Sequence, residues 1–203
     1  MKKHLIALAA VAAALAAPLA QAQDTGSWIV RARALHLDSA DKSDFAGLRV
    51  ENKTFPEVDI SYFLTPNLAA ELVLTYPQKH DVTVDGVGKL GTVKHLPPTL
   101  SLQYHVTDLG AFRPYVGAGL NYTRFSGVHL THPTAGALNV DKNSFGLAFG
   151  AGADYALGGG WLLNVDVKKV HIHTEVTVAS TGGHVANLKI DPVLFSVGVG
   201  KRF

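Results

Sequence analysis

The chain has 203 residues, no Cys, 20 Gly, 47% hydrophobic and 17% charged residues, and a formal net charge of +2. Without Cys there is no disulfide framework, thiolate metal site or thiol nucleophile, and the near-neutral balance offers no basic footprint for nucleic acid. The hydrophobic content is too high for a disordered chain, and the length suits one domain with or without a targeting segment.

Residues 1–22 read as a signal peptide. Lys2 and Lys3 form a positive start, Leu5 to Leu19 are almost all Ala, Leu, Val and Ile, and Ala20-Gln21-Ala22 is a small-x-small cleavage pattern before Gln23. A membrane helix is the rival reading, but the stretch is short, Ala-rich and interrupted by Pro18. Lys2 and Lys3 are its only charged residues, so removing it lowers the 18 basic residues to 16 against 16 acidic ones. The expectation is an exported, neutral domain over residues 23–203.

That domain has no apolar run of the about 20 residues a membrane helix needs. It has alternation instead, as in Val58-Asp59-Ile60-Ser61-Tyr62 and Leu100-Ser101-Leu102-Gln103-Tyr104, and period two means strands with two unlike faces. In chain order the expected strands are Trp28 to Leu37, Phe55 to Leu64, Leu68 to Tyr76, Pro97 to Val106, Phe112 to Phe125, Ser144 to Leu157, Trp161 to Ile172 and Ile190 to Phe203. The connections alternate in length. Thr65-Pro66-Asn67, Thr107 to Ala111 and Gly158-Gly159-Gly160 are tight, whereas Asp38 to Thr54, Gln78 to Leu96, Ser126 to Asn143 and His173 to Lys189 are long. Short periplasmic turns, long extracellular loops and an even strand number predict an all-β fold: an eight-stranded antiparallel transmembrane β-barrel.

The outward rows support this. Val58, Ile60, Tyr62 and Leu64 form one apolar row, and Phe145, Leu147, Phe149, Ala151 and Tyr155 another, while charges fall on the opposite face. Trp28, Trp161, Tyr62, Tyr104 and Tyr155 lie toward the short-turn end, and Tyr76 and Tyr122 toward the long-loop end, as two aromatic girdles require. Phe195, Val197, Val199 and Phe203 share a face of the last strand, although Lys201 interrupts it. Such a strand is of the kind that barrel-assembly machinery receives.

Three stretches carry a family resemblance. Pro97-Pro98-Thr99-Leu100-Ser101-Leu102-Gln103-Tyr104-His105, Arg113-Pro114-Tyr115-Val116-Gly117-Ala118-Gly119-Leu120-Asn121-Tyr122, and the run from Asp191-Pro192 to Gly198-Val199-Gly200-Lys201-Arg202-Phe203 resemble the OmpW family of small outer-membrane proteins. The resemblance covers residues 23–203 in strand order. It implies an eight-stranded barrel in the outer membrane that passes small hydrophobic molecules, without identifying the molecule.

Parity assigns the inward residues. Toward the short turns and the middle these are Arg31, Arg33, Arg113, Lys168 and Arg202 beside Glu57, Asp59, Glu71, Asp154 and Asp166. Unpaired charges in a narrow lumen are costly, so the expectation is a salt-bridged plug rather than an acid/base pair, because nothing resembles a nucleophile with its base. Toward the long loops the inward residues become Leu35, Leu37, Phe55, Val73, Phe125, Val170, Ile172, Ile190 and Leu194. An apolar cup above a charged floor suits a small hydrophobic ligand entering from outside; the alternative is that these residues only pack against folded loops.

A ligand in the cup meets a charged floor, so a sideways exit into the bilayer is the expected route. Pro97 and Pro98 have no N–H, and consecutive strand residues direct their backbone groups to opposite neighbours. One missing bond therefore faces strand three and the other strand five, and Pro77 weakens the seam between strands three and four further. The alternative is that the three prolines end strands where loops begin.

No cofactor is expected. His171 and His173 share one strand face and could chelate an ion, but they face outward beside Lys169, where a cationic patch meeting lipopolysaccharide and outer-membrane lipid is the plainer account, and no third ligand is placed near them. Gly117-Ala118-Gly119 and Gly150-Ala151-Gly152 are not phosphate loops but inward glycines that relieve crowding. Two other function classes stay open: a structural or adhesive protein acting through its loops, and a lipid-modifying barrel enzyme using His80, His95, His129, His132 or His184.

Overall fold

The computed structural model describes residues 27–40, 42–43 and 47–203. The expected signal peptide, 1–22, lies outside the described residues. Among the described residues, fifteen strands run in chain order: β1 Trp28–Asp38, β2 Lys42–Ser43, β3 Leu48–Val50, β4 Lys53–Phe63, β5 Leu68–Leu74, β6 Gln78–Val84, β7 Gly88–Leu96, β8 Thr99–His105, β9 Phe112–His132, β10 Gly136–Val140, β11 Asn143–Gly158, β12 Trp161–Val170, β13 His173–Val178, β14 His184–Lys189 and β15 Val193–Arg202.

Eight of these form the expected barrel. Neighbours follow the order β11, β12, β15, β1, β4, β5, β8, β9, and pairing of β9 with β11 closes the ring. All pairs are antiparallel, with registers such as Arg31↔Asp59 between β1 and β4, Glu71↔Ser101 between β5 and β8 and Asp154↔Arg113 between β11 and β9. Closure leaves no strand edge inside a bilayer, which is what makes a sheet viable there. The wall faces outward with Leu100, Leu102, Val116, Leu120, Leu147, Val165 and Val197, all exposed. Trp28, Tyr62, Tyr104, Tyr155 and Trp161 mark its lower margin and Tyr76 and Phe145 its upper one. Trp28 and Tyr62 meet with ring centroids 4.6 Å apart, and Tyr122 meets Phe145 at 4.8 Å.

The long connections hold the other seven strands. β6 and β7 form a hairpin that joins the upper part of β9, and β3 pairs with β6. β10 folds back on β9, then pairs with β13, which pairs with β14, which pairs with β2. The period-two signal continues into these segments, with Val82 and Val84 buried in β6 and Val176 buried in β13. The barrel is thus extended above the membrane band by a second tier of strands.

The lumen is filled in layers. At the short-turn end Ile29, Phe63, Ala69 and Leu162 form a small apolar cluster. Charged residues come next, then Leu35, Leu37 and Phe55. The uppermost and largest cluster, including Val82, Val93, Phe125, Leu138, Val176 and Leu188, is built mainly from the second tier.

Candidate functional site

The charged layer is a continuous network. Arg31 lies fully buried and holds Asp154 in two bonds, Nε to Oδ1 at 2.9 Å and Nη2 to Oδ2 at 2.6 Å, while its Nη1 donates to Asp59 at 2.8 Å and to Ser61 at 2.9 Å. Arg33 binds Glu57 through Nε at 2.8 Å, and its Nη2 sits 2.7, 3.0 and 3.5 Å from Glu57, Asp59 and Glu71. Lys168 reaches Asp166 at 2.9 Å and Glu71 at 3.3 Å. Alternation along β1 puts the two arginines on one inward face, and β4, β5, β11 and β12 bring the acids to meet them. Bidentate arginine pairs of this kind hold geometry as well as charge.

Eight of the ten inward charges therefore meet in one layer. Arg113, in register with Asp154, and Arg202, two residues beyond the Gly200 that faces Arg31, are half-buried. The Arg202 guanidinium lies 4.5 Å from the centroid of the Phe63 ring, and the Arg113 Nε is buried without a hydrogen-bond partner. Neutral residues not singled out from the sequence complete the layer. Tyr115 Oη donates to Asp166 at 2.8 Å and accepts from Asn164 Nδ2 at 3.0 Å, and Asn164 also donates to Asp154 at 2.8 Å. Their inward parity was readable, but lacking charge they carried no separate signal. Gly152 makes room for Tyr115, since a Cβ there would lie 2.4 Å from its hydroxyl.

Above the network the apolar residues line two cavities rather than one cup. The lower, of ≈ 430 Å³, is walled by Leu35, Leu37, Phe55, Val73, Val170, Ile172 and Leu194, with Glu57 and Lys168 at its floor and Thr75, His95, Pro97, Thr99, Asn121 and Pro192 on its sides. The upper, of ≈ 590 Å³, lies among the second-tier strands and takes Phe125 and Ile190 into its lining with Leu48, Val82, Leu130 and Val176. The partition is reached from both sides: Ile190 N donates to Ile172 O at 2.9 Å, and the His95 and Phe125 rings lie 6.5 Å apart.

Pro97 and Pro98 stand between β7, which ends at Leu96, and β8, which begins at Thr99, level with the Tyr122–Phe145 upper margin. They therefore end strands where the second tier begins, and the β5–β8 wall beneath them is laddered throughout. The β5–β8 ladder ends at Val73↔Thr99, and pairing across the same seam resumes at Gln78↔His95 in the second tier. His105 N donates to Asn67 O at 2.7 Å across this seam, so odd-numbered residues of β8 face β5 and Pro97 falls where the next donor toward Thr75 is due. Pro97 and Thr75 both line the lower cavity. The strand-five side stays joined, because Tyr122 N donates to Pro98 O at 3.0 Å and Asn121 Nδ2 donates to both proline carbonyls at 3.2 Å. Pro77 is exposed and outside the cavity lining. Across the barrel, the break before Pro192 is bridged by Val170 N to Pro192 O at 3.1 Å.

The histidines separate. His80 and His95 are buried and stack at 4.6 Å, with His80 Nδ1 bonded to Glu51 O at 2.8 Å. They lie in the β6–β7 hairpin above the aromatic margin, and burial lowers both, His95 to about 3. His129 and His132 bond within their own loop, to Gly127 O and to Thr134, and His184 bonds Glu175 at 2.7 Å. His171 and His173 are exposed, His171 against Leu147 O, while Lys169 donates to Asp191 O. Among the described residues, no three His, Asp or Glu side chains come together as a metal site.

Comparison with known proteins agrees with this architecture. Outer membrane protein W of Vibrio cholerae is 35% identical over the full length of both chains. The dibenzothiophene metabolism operon protein PahQ of Pseudomonas aeruginosa is 29% identical over 81% of this chain and 75% of its own. The crystal structure of the outer membrane protein OprG from Pseudomonas aeruginosa superposes with a TM-score of 0.75 at 29% identity, covering 88% of this chain and 96% of that one. The OmpW family model matches residues 24–203. With a closed eight-stranded barrel, an apolar outer belt and that match, the chain belongs to the OmpW family and is an outer-membrane protein.

Proposed function

We propose that the barrel carries small hydrophobic molecules inward across the outer membrane, taking them from outside into its apolar chambers and releasing them sideways into the bilayer. The observation that carries this reading is the position of the lower chamber. It rests on the salt-bridged layer and abuts the seam above the β5–β8 ladder, where the Thr75–Pro97 bonds are missing. A greasy molecule going down would have to displace paired ions and replace none of their bonds, whereas going sideways it meets an unladdered seam and then lipid. A relative named for a dibenzothiophene metabolism operon is in keeping with apolar cargo. In this reading, outer-membrane lipid receives the cargo, lipopolysaccharide surrounds the upper rim near Lys169, His171 and His173, and assembly machinery engages the strand ending at Phe203.

The test is uptake by cells lacking the protein, complemented with the wild type, Leu35→Asp or Ile172→Asp. Both residues are buried on the lower chamber wall, so a carboxylate there makes an apolar ligand unwelcome. Uptake of an apolar probe should be lost in both variants while heat-modifiable, folded barrel is retained at the surface. Uptake of every apolar compound tested staying the same without the protein sinks the proposal; an adhesive protein working through its loops would be indifferent to both substitutions.

A further inference from the structure

Among the described residues that line the lower chamber, one carries a buried side-chain polar atom without a partner. Asn121 Nδ2 is bonded to the Pro97 and Pro98 carbonyls and to Thr99 Oγ1, Glu57 is held by Arg33, and Lys168 by Asp166 and Glu71. His95, 4% exposed, is different: its Nε2 is buried without a hydrogen-bond partner. The ring is held in place by stacking on His80, which is itself anchored to Glu51 O. A buried polar atom without a partner is unfavourable, and a ligand that supplies the partner recovers that cost on binding.

The charges nearby decide what kind of head group fits. The layer beneath already pairs its five carboxylates with Arg31, Arg33 and Lys168, so a charged head group of either sign would leave water for an apolar chamber that offers it no free counter-ion, which is costly. A neutral group is left. A hydroxyl both donates and accepts, so it serves Nε2 in either tautomer, and the aliphatic wall takes the rest of the molecule. We infer that the lower chamber is selective for uncharged hydroxylated apolar molecules, alcohols or phenols, whose hydroxyl bonds His95 Nε2, in preference to hydrocarbons of the same length. This rests on the proposed transport reading and names the chemical class of its cargo.

The test uses the full chain in lipid nanodiscs with 15N-labelled histidine, titrated with 1-octanol and with n-octane, each corrected for partition into protein-free discs. Octanol should bind about tenfold more tightly than octane, the worth of one buried hydrogen bond. His95→Phe, which keeps a ring to stack on His80, should bring that ratio to near one, and His95→Gln should restore part of it. In the wild type the His95 15Nε2 resonance should move with octanol and stay with octane, a readout that holds even if the variants fail to fold. Equal affinities, a preference that survives His95→Phe, an equal loss of both ligands in that variant, or an unmoved Nε2 resonance would each overturn the inference while leaving the chamber as an apolar site. Binding of neither probe would overturn the transport reading as well.

Discussion

Arg31 and Asp154, 123 residues apart, form a two-bond ion pair at 2.6 and 2.9 Å with both side chains almost wholly out of solvent. The pair spans the lumen from β1 to β11, strands that are not neighbours in the wall. Its worth is therefore structural, since losing one member strands the other in a medium with no water to receive it.

Arg31→Met should destabilise the barrel by about 3–5 kcal/mol, because Asp154 then keeps its burial without an arginine and Asp59 is left with Arg33 alone. Arg31→Met combined with Asp154→Leu should recover much of the loss, since an apolar pair of similar volume often does as well as a buried ion pair. Urea unfolding midpoints in detergent micelles, followed by electrophoretic heat-modifiability, measure both. A single variant as stable as the wild type would show that the network does not hold the barrel.

A second test concerns space rather than charge. A Cβ at Gly152 would lie 2.4 Å from Tyr115 Oη and 2.6 Å from Val165 O, and backbone cannot yield as a side chain can. Gly152→Ala should cost about 1–3 kcal/mol, as overpacking does. Tyr115→Phe, which removes only the bonds to Asp166 and Asn164, should cost about 1 kcal/mol. The same unfolding midpoints rank the two, and a neutral Gly152→Ala would remove the idea that inward glycines clear room for the plug.

The His80–His95 pair predicts a pH response in the second tier. An ordinary histidine binds a proton near 6.5, but burial, then the neighbouring His80 and Lys53, hold His95 down to about 3. Between those values the opened hairpin takes up a proton that the closed one does not, so closure is most stable above about 6.5 and weakens as pH falls toward 3. Glu51 and Asp81 oppose the effect at His80, whose shift is in the same direction. Amide protection factors in β6 and β7 should therefore fall at least about tenfold per pH unit below 6 relative to those of β12. His95→Phe should flatten most of this dependence; protection that is flat with pH in the wild type would contradict it.

Period two made the eight barrel strands legible because each inward residue of Glu57, Asp59 and Ser61 alternates with an outward Val58, Ile60 and Tyr62, and lipid outside with charge inside leaves no ambiguity of face. The membership of the plug followed from parity for the charged residues, yet not its height. Stagger sets Arg202 over Phe63, beyond the layer that Arg31 and Asp154 share, while Arg113, in register with Asp154, leaves its Nε without a partner, and such arrangements belong to the closed ring, not to any one strand. The same stagger divides the apolar residues: Phe125 and Ile190 were correctly inward but lie in the upper chamber. Val82, Val84 and Val176 alternate as the barrel strands do. What no local pattern conveys is that their hairpins pair with β9 and β3 or with β10 and β2 above the lumen. His95 was visible only as a loop histidine, since stacking on His80 depends on the Gln78↔His95 register.

The seam itself yields the last prediction. Pro97 occupies the register position of the next donor toward Thr75, between ladders that end at Val73↔Thr99 and resume at Gln78↔His95. Pro97→Val restores an N–H there on a residue that favours strands. One added bond of about 1 kcal/mol shifts an opening equilibrium roughly fivefold toward closure. Uptake of an apolar probe should then fall by about that factor, while binding in the lower chamber, measured in nanodiscs, stays within twofold of the wild type. Pro98→Val should do less, because its side of the strand is already joined through Tyr122 N and Asn121. Equal uptake in the wild type and Pro97→Val, with the new amide shown by hydrogen exchange to be protected, would mean that the cargo leaves by another route.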